Sequence, residues 1–208
     1  MFAPASLDLK GLFCDRTMFE SSSRWRKRGF AVEGEGDESD IMTASHPSAP
    51  GYLFKKYSDD KVSPKDQLEN YRRRIKGAKK LRAYVADQRL TRIVVPGKSL
   101  HELPSEFDRK GKTSYVLIVE KMTLLDAAAS KQMYRGLDNE GLRQLCVVLI
   151  EFRGLDSGVR NIPFTDQGQM AFIDTERWDD DREVPLKRIR AYLSDEQWAF
   201  AKKIFEKA

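Results

Sequence analysis

Two aspartates and one asparagine stand at fixed intervals within residues 154–176. Asn161 lies 5 residues after Asp156, and Asp174 lies 13 residues after Asn161. All three side chains carry hard oxygen donors. Such a set suits Mg²⁺, which takes few protein ligands and completes its shell with water or substrate phosphates. A carboxylate that the metal does not need can accept a hydroxyl proton or orient a nucleophile.

The residues between Asn161 and Asp174 predict a loop, a short strand, a hairpin turn and a second short strand. The turn falls at 165–168, where Thr, Asp, Gln and Gly follow one another, and an apolar run at 170–173 comes after it. One carboxylate precedes this hairpin and the other follows it. We therefore expect the side chains of Asp156 and Asp174 to converge at the opening of one cleft.

Apolar periodicity and turn residues predict an α+β arrangement for the rest of the chain. Ser63 and Pro64 are typical of a helix start, with Ser as the N-cap and Pro at the first helical position. The stretch 97–112 is polar and rich in turn residues, so we expect an exposed connection there. The predicted strands are 25–32, 41–44, 51–57, 90–96 and 114–122, and the predicted helices are 64–85, 124–134, 139–152, 185–192 and 195–206.

The composition is that of a globular and rather charged protein. The chain has 208 residues, 40% of them hydrophobic and 33% charged, and its net charge of +5 is spread among interspersed acidic and basic residues, so no specific nucleic-acid binding is expected. Two cysteines and two histidines argue against a disulfide framework and a zinc site. No apolar run approaches the length of a membrane span, and the start lacks a secretory signal, so we expect no membrane span and a cytoplasmic location.

Residues 154–176 resemble the catalytic core of the protein-kinase-like fold. In that family, H-R-D-x-x-x-x-N supplies the catalytic base and one metal ligand, and D-F-G supplies the other metal ligand. Asp156 and Asn161 match the first motif in spacing, and Asp174 matches the second, with D-T-E in place of D-F-G. The resemblance implies that Asp156 acts on the acceptor hydroxyl and that Asn161 and Asp174 hold Mg²⁺ or Mn²⁺.

Upstream residues follow the kinase order and extend the resemblance over about residues 25–178. Lys55 stands on a strand where kinases place the phosphate-binding lysine, and Glu69 stands on the next helix, where kinases place the carboxylate that pairs with it. Gly34 and Gly36 resemble a shortened glycine-rich loop, although acidic residues surround them and an acidic hairpin tip has the same composition. The resemblance implies ATP as the bound nucleotide.

The strand at 114–122 resembles the fifth kinase strand, which runs into the hinge that meets adenine. By that resemblance, Glu120 and Met122 belong to the hinge. The chain would then divide into an antiparallel-sheet N-lobe at about 23–120 and a reduced, mainly helical C-lobe at about 121–208. The pattern of the strand itself fits the central strand of any sheet equally well.

Several departures from the kinase pattern bear on function. Gly154 stands where the first motif has His, and there is no A-P-E motif. Arg160, directly before Asn161, is placed to reach a phosphate, as an arginine at this position does in some tyrosine kinases. The pattern I-D-x-E is also similar to that of aminoglycoside and choline phosphotransferases.

The sequence therefore predicts a minimal two-lobed protein-kinase-like fold of the α+β class and an ATP- and Mg-dependent phosphotransferase. Among small kinases, the chain resembles secreted bacterial effectors of the HopBF type. That resemblance implies a protein hydroxyl as the acceptor, a host heat-shock chaperone as one candidate target, and action in a host cytoplasm after export. Two other functions stay open: a small-molecule phosphotransferase, and a pseudokinase that acts as a binding module.

Overall fold

The described part of the chain combines one antiparallel sheet with a set of longer helices. The computed structural model describes residues 7–13, 21–33, 41–57, 61–103, 115–180 and 186–207. Across these ranges the structure is mixed α+β, which confirms the predicted fold class at that level. The chain divides into two compact units. Unit 1 comprises Met1–Arg72 and Gly97–Lys121. Unit 2 comprises Arg73–Pro96 and Met122–Ala208.

The helices and strands follow the predicted order with a few exceptions. In chain order, the described elements are α1 (Leu9–Leu12), α2 (Ser22–Lys27), β1 (Ala31–Glu33), β2 (Ile41–Ser45), β3 (Tyr52–Tyr57), α3 (Pro64–Asp87), β4 (Ile93–Val94), β5 (Lys98–Glu102), β6 (Tyr115–Glu120), α4 (Ala127–Arg135), α5 (Asn139–Glu151), β7 (Met170–Ala171), α6 (Leu186–Ile189), a 3₁₀ turn (Arg190–Tyr192) and α7 (Asp195–Phe205). The predicted strand at 90–96 is reduced to β4, and the predicted helix at 185–192 is split into α6 and the 3₁₀ turn.

Unit 1 is built on a five-stranded sheet. Its strand order is β1-β2-β3-β6-β5, and every neighbouring pair is antiparallel. Because side chains alternate along a strand, one face of the sheet can bury aromatic and aliphatic groups. These groups form the unit 1 core, whose buried members are Phe13, Trp25, Phe30, Ala44, Ala49, Phe54, Leu103, Val116 and Ile118.

Two sequence predictions for unit 1 are wrong. The strand predicted at 25–32 is largely helix α2, and only the residues from Ala31 onwards are extended. Ser21 caps that helix, because its hydroxyl accepts a hydrogen bond from the Arg24 N–H at 3.4 Å. The exposed connection predicted at 97–112 contains β5, which completes the sheet by pairing with β6. The β5 sequence K-S-L-H-E has a single apolar residue, so it lacks the alternation that identifies a strand.

Unit 2 is mainly helical, and its principal helix forms as predicted. Helix α5 begins at its N-cap Asp138, whose carboxylate accepts a hydrogen bond from the Gly141 N–H at 2.7 Å. The predicted capping box of Ser194 and Gln197 begins α7. Apolar stripes of these helices contribute to the unit 2 core, whose buried members include Ala78, Leu81, Ile93, Leu142, Leu145, Val148, Leu149, Leu155, Ile162, Phe164 and Phe172.

The hairpin predicted at 162–173 forms only in part. Its turn is present, because Gly168 adopts a positive φ of 77° and its N–H donates to the Thr165 carbonyl oxygen at 3.0 Å. The two arms are joined by an isolated bridge between Phe164 and Met170 and by hydrogen bonds from the Ala171 and Ile173 N–H groups to the carbonyl oxygens of Pro163 and Asn161. Strand β7 also pairs with β4, in parallel. The local pattern could not reveal this partner, because β4 lies far away in the sequence.

Two further expectations concern the thiol and the membrane. Cys146 is fully buried against Ala201, as expected of a core residue, and burial raises the pKa of its thiol to about 12. Over the described ranges, no helix has the length and apolar character needed to cross a membrane.

A buried tyrosine ties α4 to the segment that carries Asn161. Tyr134 is fully buried, and its hydroxyl donates to the Ile162 carbonyl oxygen at 2.8 Å. Its ring packs edge-on against Phe164, with the ring centroids 5.0 Å apart. Burial raises the pKa of the Tyr134 hydroxyl, so it remains a protonated donor at neutral pH.

We expect Tyr134→Phe to lower the free energy of unfolding by about 1–2 kcal/mol, because the buried Ile162 carbonyl loses its donor. Urea unfolding followed by circular dichroism measures the change. Tyr192→Phe is the matched control: Tyr192 is half-buried, its ring lies 6.4 Å from that of Tyr134, and we expect a change within about 0.5 kcal/mol. Equal losses in the two variants would contradict the role of the Tyr134 hydroxyl.

Candidate active site

Backbone hydrogen bonds bring the loop from Asp156 to Asn161 alongside the segment that leads to Asp174. The Asn161 N–H donates to the Gly158 carbonyl oxygen at 2.8 Å, which closes the loop into a turn. The Asn161 carbonyl oxygen then accepts from the Ile173 N–H at 3.1 Å. Ile173, the residue before Asp174, is therefore hydrogen-bonded to Asn161, which the sequence predicts as the second metal ligand.

Asp156 and Asp174 line one cavity within unit 2, as the sequence predicts. The cavity has a volume of about 330 Å³. Three acidic and three basic side chains line it, so their formal charges cancel. They are Arg74, Asp156, Asp174, Glu176, Arg177 and Arg188. A wall made of both signs of charge suits phosphates and cations better than an apolar ligand.

Asp156 is half-buried and is held by donors on both sides. Arg188 Nη1 lies 2.5 Å from its Oδ2, and the Gly158 N–H donates to its Oδ1 at 3.0 Å. Burial alone raises the pKa of Asp156. The Gly158 N–H, the Arg188 guanidinium and the Asn161 amide together outweigh burial and hold that pKa below its ordinary value. Asp156 is therefore an oriented carboxylate at neutral pH, and Arg160, the predicted phosphate contact, is exposed nearby in the same loop.

Arg74 of α3 bridges the two acidic residues of the D-T-E segment. Its Nη1 donates to Asp174 Oδ1 at 3.0 Å, and its Nη2 donates to Glu176 Oε2. The Glu176 N–H also donates to Asp174 Oδ1, at 3.1 Å. Because the Arg74 side chain is only 12% exposed, solvent screens these ion pairs less than it screens pairs on an open surface.

The central residue of D-T-E packs on the same turn of α3. Thr175 is fully buried, and its hydroxyl donates to the Arg74 carbonyl oxygen at 2.7 Å. Gly77, one turn further along the helix, permits this approach, because a Cβ there would lie 2.2 Å from the Thr175 carbonyl oxygen. Thr175 thus ties the D-T-E segment to the backbone of α3 through a hydrogen bond.

A second glycine, Gly154, permits a close approach of two backbone segments. A Cβ on Gly154 would lie 1.8 Å from the Arg177 carbonyl oxygen and 2.7 Å from the Asp180 nitrogen. The backbone that leads into Asp156 therefore touches the backbone that follows the D-T-E segment. Any side chain at residue 154, histidine included, would force the two apart.

Lys55 and Lys56 lie on opposite faces of β3, as predicted. Lys56 shares a face with Phe54 of the unit 1 core, is 2% exposed, and donates to the Tyr57 carbonyl oxygen at 3.2 Å. Lys55 is half-buried on the face that also carries Tyr57, whose ring centroid lies 5.2 Å from that of Tyr71 of α3. Lys55 therefore lies on the α3 side of the sheet.

The predicted ion pair between Lys55 and Glu69 is not formed, although both residues belong to the described ranges. Glu69 is exposed. Helix geometry explains the exposure of Glu69. Gln67 and Tyr71 are buried, and Glu69, two positions from each of them, is rotated by about 200° around the helix from both. Glu69 is consequently on the side of α3 that faces away from those buried residues.

The remaining predicted nucleotide contacts have different environments. Glu120 accepts a hydrogen bond through Oε2 from the Gly97 N–H at 2.8 Å, which ties the end of β6 to the residue before β5. Met122 is half-buried. It directly follows Lys121 and begins the second segment of unit 2. The predicted glycine-loop residues, Gly34 and Gly36, lie outside the described residues.

Sequence reasoning missed the arginines that line the cavity. The local pattern assigns residues 72–74 to the solvated side of the helix, whereas Arg74 follows the buried Tyr71 by one turn and precedes the buried Ala78 by another. An arginine within a buried stripe indicates an acidic partner, because charged groups are rarely buried unpaired. Arg188 carries no comparable signal, since it comes from a short helix and pairs with a distant residue.

The donor chemistry near Asp174 fits a single divalent cation that draws most of its ligands from elsewhere. Within the described ranges, no three His, Cys, Asp or Glu side chains gather in a way that could hold a metal ion by themselves. Asp174 and Asn161 offer a carboxylate and an amide oxygen, which suits Mg²⁺ with water and phosphate as its other ligands. Arg74 places one positive charge beside that position.

No protein-family model matches this chain, and a search of curated proteins finds no match. The geometry of the cavity and the residue types that line it are therefore the basis for assigning a function.

We expect Arg188→Gln to raise the pKa of Asp156. In this variant, burial is opposed only by the Gly158 N–H and the Asn161 amide. An NMR titration of the aspartate carboxyl carbons measures the shift. Arg190→Gln is the control, since Arg190 pairs with Asp195. An Asp156 pKa that stays the same in Arg188→Gln would show that the ion pair does not hold this carboxylate.

Proposed function

We propose that the chain is a minimal kinase-like phosphotransferase that uses ATP and Mg²⁺ or Mn²⁺ to phosphorylate a protein hydroxyl. The observation that carries this proposal is the convergence of Asp156 and Asp174 at one charged cavity, with Asn161 bonded to the segment between them. Phosphoryl transfer needs little covalent chemistry from the protein. It requires an oriented acceptor and fixed ligands for the metal ion, which are the tasks that these residue types perform.

Asp156 is suited to orienting the acceptor. A pKa below the ordinary aspartate value makes it a weak base, yet it keeps the side chain ionised, so it can accept a hydrogen bond from an acceptor hydroxyl. In a loose phosphoryl-transfer transition state, alignment of the acceptor contributes more than early removal of its proton. Asp156 takes up the hydroxyl proton as the new oxygen–phosphorus bond forms, while the bond between the γ-phosphorus and its bridging oxygen breaks and ADP leaves with that electron pair.

Asp174 and Asn161 are the residues that would hold the metal ion. When bound, Mg²⁺-ATP supplies the transferable phosphoryl group and neutralises part of its negative charge. Arg177 and Arg188 add positive charge to the wall of the cavity, where it would stabilise negative charge on phosphate oxygens. Arg74 keeps Asp174 in a single orientation.

Unit 1 supports the proposal through its strand pairing. Strand β3, which carries Lys55, pairs with β6, which ends at Glu120, and Lys55 lies opposite Leu117. These are the two strands to which the kinase resemblance assigns the phosphate-contacting lysine and the hinge. Lys55, on the α3 side of the sheet, keeps the first of these roles in our proposal.

The acceptor class rests on the resemblance to secreted bacterial effector kinases of the HopBF type. The family target, a host heat-shock chaperone, is therefore the first protein acceptor to test. Asp156 is compatible with a protein acceptor, because its side chain is 35% exposed at the cavity wall and a hydroxyl on a protein loop can approach it.

One observation favours a second function, that of a non-catalytic binding module. Arg74 already places a positive charge on Asp174, the carboxylate assigned to the metal ion. In a protein that transfers no phosphate, this ion pair would take the place of the metal. The two functions differ in whether any phosphate is transferred.

We expect the purified chain to transfer label from the γ-position of ATP in the presence of Mg²⁺ or Mn²⁺, either to itself or to an added heat-shock chaperone. Asp156→Asn should reduce the rate by about 100-fold or more, because the acceptor loses its orienting carboxylate. Asp166→Asn is the matched control, since Asp166 is an exposed aspartate in the turn between Asn161 and Asp174, and its rate should stay within about twofold.

Other outcomes of this assay have defined meanings. Label transferred from the α-position would indicate nucleotidyl transfer at the same site. ATP binding without transfer from either position would favour the binding module. Transfer that survives Asp156→Asn in a folded protein would remove the role assigned to Asp156.

A further inference from the structure

We propose that Arg74 is a positioning residue that fixes Asp174 and Glu176 and sets the affinity of the cavity for a divalent cation. Asp174 acts here as the metal ligand, which rests on the proposed function. Arg74 itself has no counterpart among the kinase motifs that the sequence matches, so its role comes from the contacts alone.

The guanidinium of Arg74 joins two carboxylates with a fixed spacing. Its two terminal nitrogens are held rigidly in one plane, and each donates to a different acidic residue. The Glu176 side chain is 19% exposed, whereas the Asp174 side chain is 34% exposed. Glu176 is therefore the less exposed of the two carboxylates that Arg74 contacts and Asp174 the more exposed one, and both line the cavity.

The backbone of Arg74 holds the same segment as its side chain. Its carbonyl oxygen accepts the Thr175 hydroxyl at 2.7 Å, while its guanidinium holds the acidic residues on either side of Thr175. One helical residue thus contacts three consecutive residues of the D-T-E segment. Rotation of Asp174 would break its bonds to both Arg74 and the Glu176 N–H.

The positive charge of Arg74 weakens the binding of a divalent cation that has no phosphate bound to it. Asp174 and Glu176 together carry two negative charges, and Arg74 cancels one of them. An arginine beside an aspartate lowers the proton affinity of the carboxylate by about one to three orders of magnitude, and the same repulsion acts on a divalent cation. Arg74 therefore weakens the binding of a free divalent cation, and it favours a cation that arrives together with negatively charged phosphates.

The test is a titration of the full chain with Mn²⁺ in the absence of nucleotide, with free Mn²⁺ measured by electron paramagnetic resonance. We expect Arg74→Gln to bind Mn²⁺ about tenfold or more tightly than the wild type, and Asp174→Asn added to it to abolish the gain. Arg73→Gln is the matched control. It removes the same charge one residue earlier, where the guanidinium pairs with Asp179 and Asp180 at 2.7 and 2.6 Å, and its affinity should stay within about twofold.

Mn²⁺ binding that is unchanged or weaker in a folded Arg74→Gln variant, or an equal gain in Arg73→Gln, overturns the inference. Arg74→Lys keeps the charge and should show the wild-type affinity, whereas tight binding in this variant also counts against the inference. If circular dichroism shows Arg74→Gln to be unfolded, Glu176→Gln decides. It removes one of the two carboxylates that the guanidinium is seen to contact, so the charge of Arg74 acts more strongly on Asp174 and Mn²⁺ binding should weaken; unchanged or tighter binding overturns the inference.

Failure of this inference can be told apart from failure of the proposed function. The titration contains neither ATP nor acceptor, and it reports on Asp174 and Arg74. The transfer assay depends on Asp156 and can succeed whether or not Arg74 tunes the affinity for the metal ion.

Discussion

Close contact between the backbone of residues 174–180 and two other segments of unit 2 holds the candidate active site together. On one side, Gly77 of α3 leaves room for the carbonyl oxygen of Thr175. On the other side, Gly154 leaves room for the carbonyl oxygen of Arg177. No larger residue fits at either glycine without moving backbone atoms. The positions of Asp156 and Asp174 follow from these contacts, since Asp156 comes two residues after Gly154 and Asp174 begins the 174–180 segment.

Once these backbones are in contact, the charged side chains beside them have to be paired. Removing a charge from water is costly unless a close partner offsets the loss, and one-sided removal of a partner is strongly destabilising. Consecutive arginines of α3 meet this need: Arg73 binds Asp179 and Asp180, whose carboxylates raise the pKa of Arg73, and Arg74 binds Asp174 and Glu176. The ion pairs that join α3 to residues 174–180 therefore include three of the charged side chains that line the cavity, namely Arg74, Asp174 and Glu176.

Local signals in the sequence predict much of this arrangement, whereas pairings between distant segments lie outside them. Caps and apolar stripes predict α5 and α7, and a hairpin turn predicts that Asp156 and Asp174 meet. Glu69 of α3 is exposed, because it lies two positions from each of the buried residues Gln67 and Tyr71, and the apolar pattern beside it does not reveal this orientation. The contacts of Arg74 are not predictable from local signals for a different reason, because its acidic partner Asp174 lies 100 residues further along the chain.

The most direct test of the central claim is a crystal structure of the chain with Mn²⁺ and a non-hydrolysable ATP analogue, in which anomalous scattering locates the metal. The account predicts Mn²⁺ bound by the Asp174 carboxylate and the Asn161 amide oxygen, with the Asp156 carboxylate free of metal and facing the terminal phosphate. A nucleotide bound without metal at Asp174, or Mn²⁺ held by other residues, would contradict it.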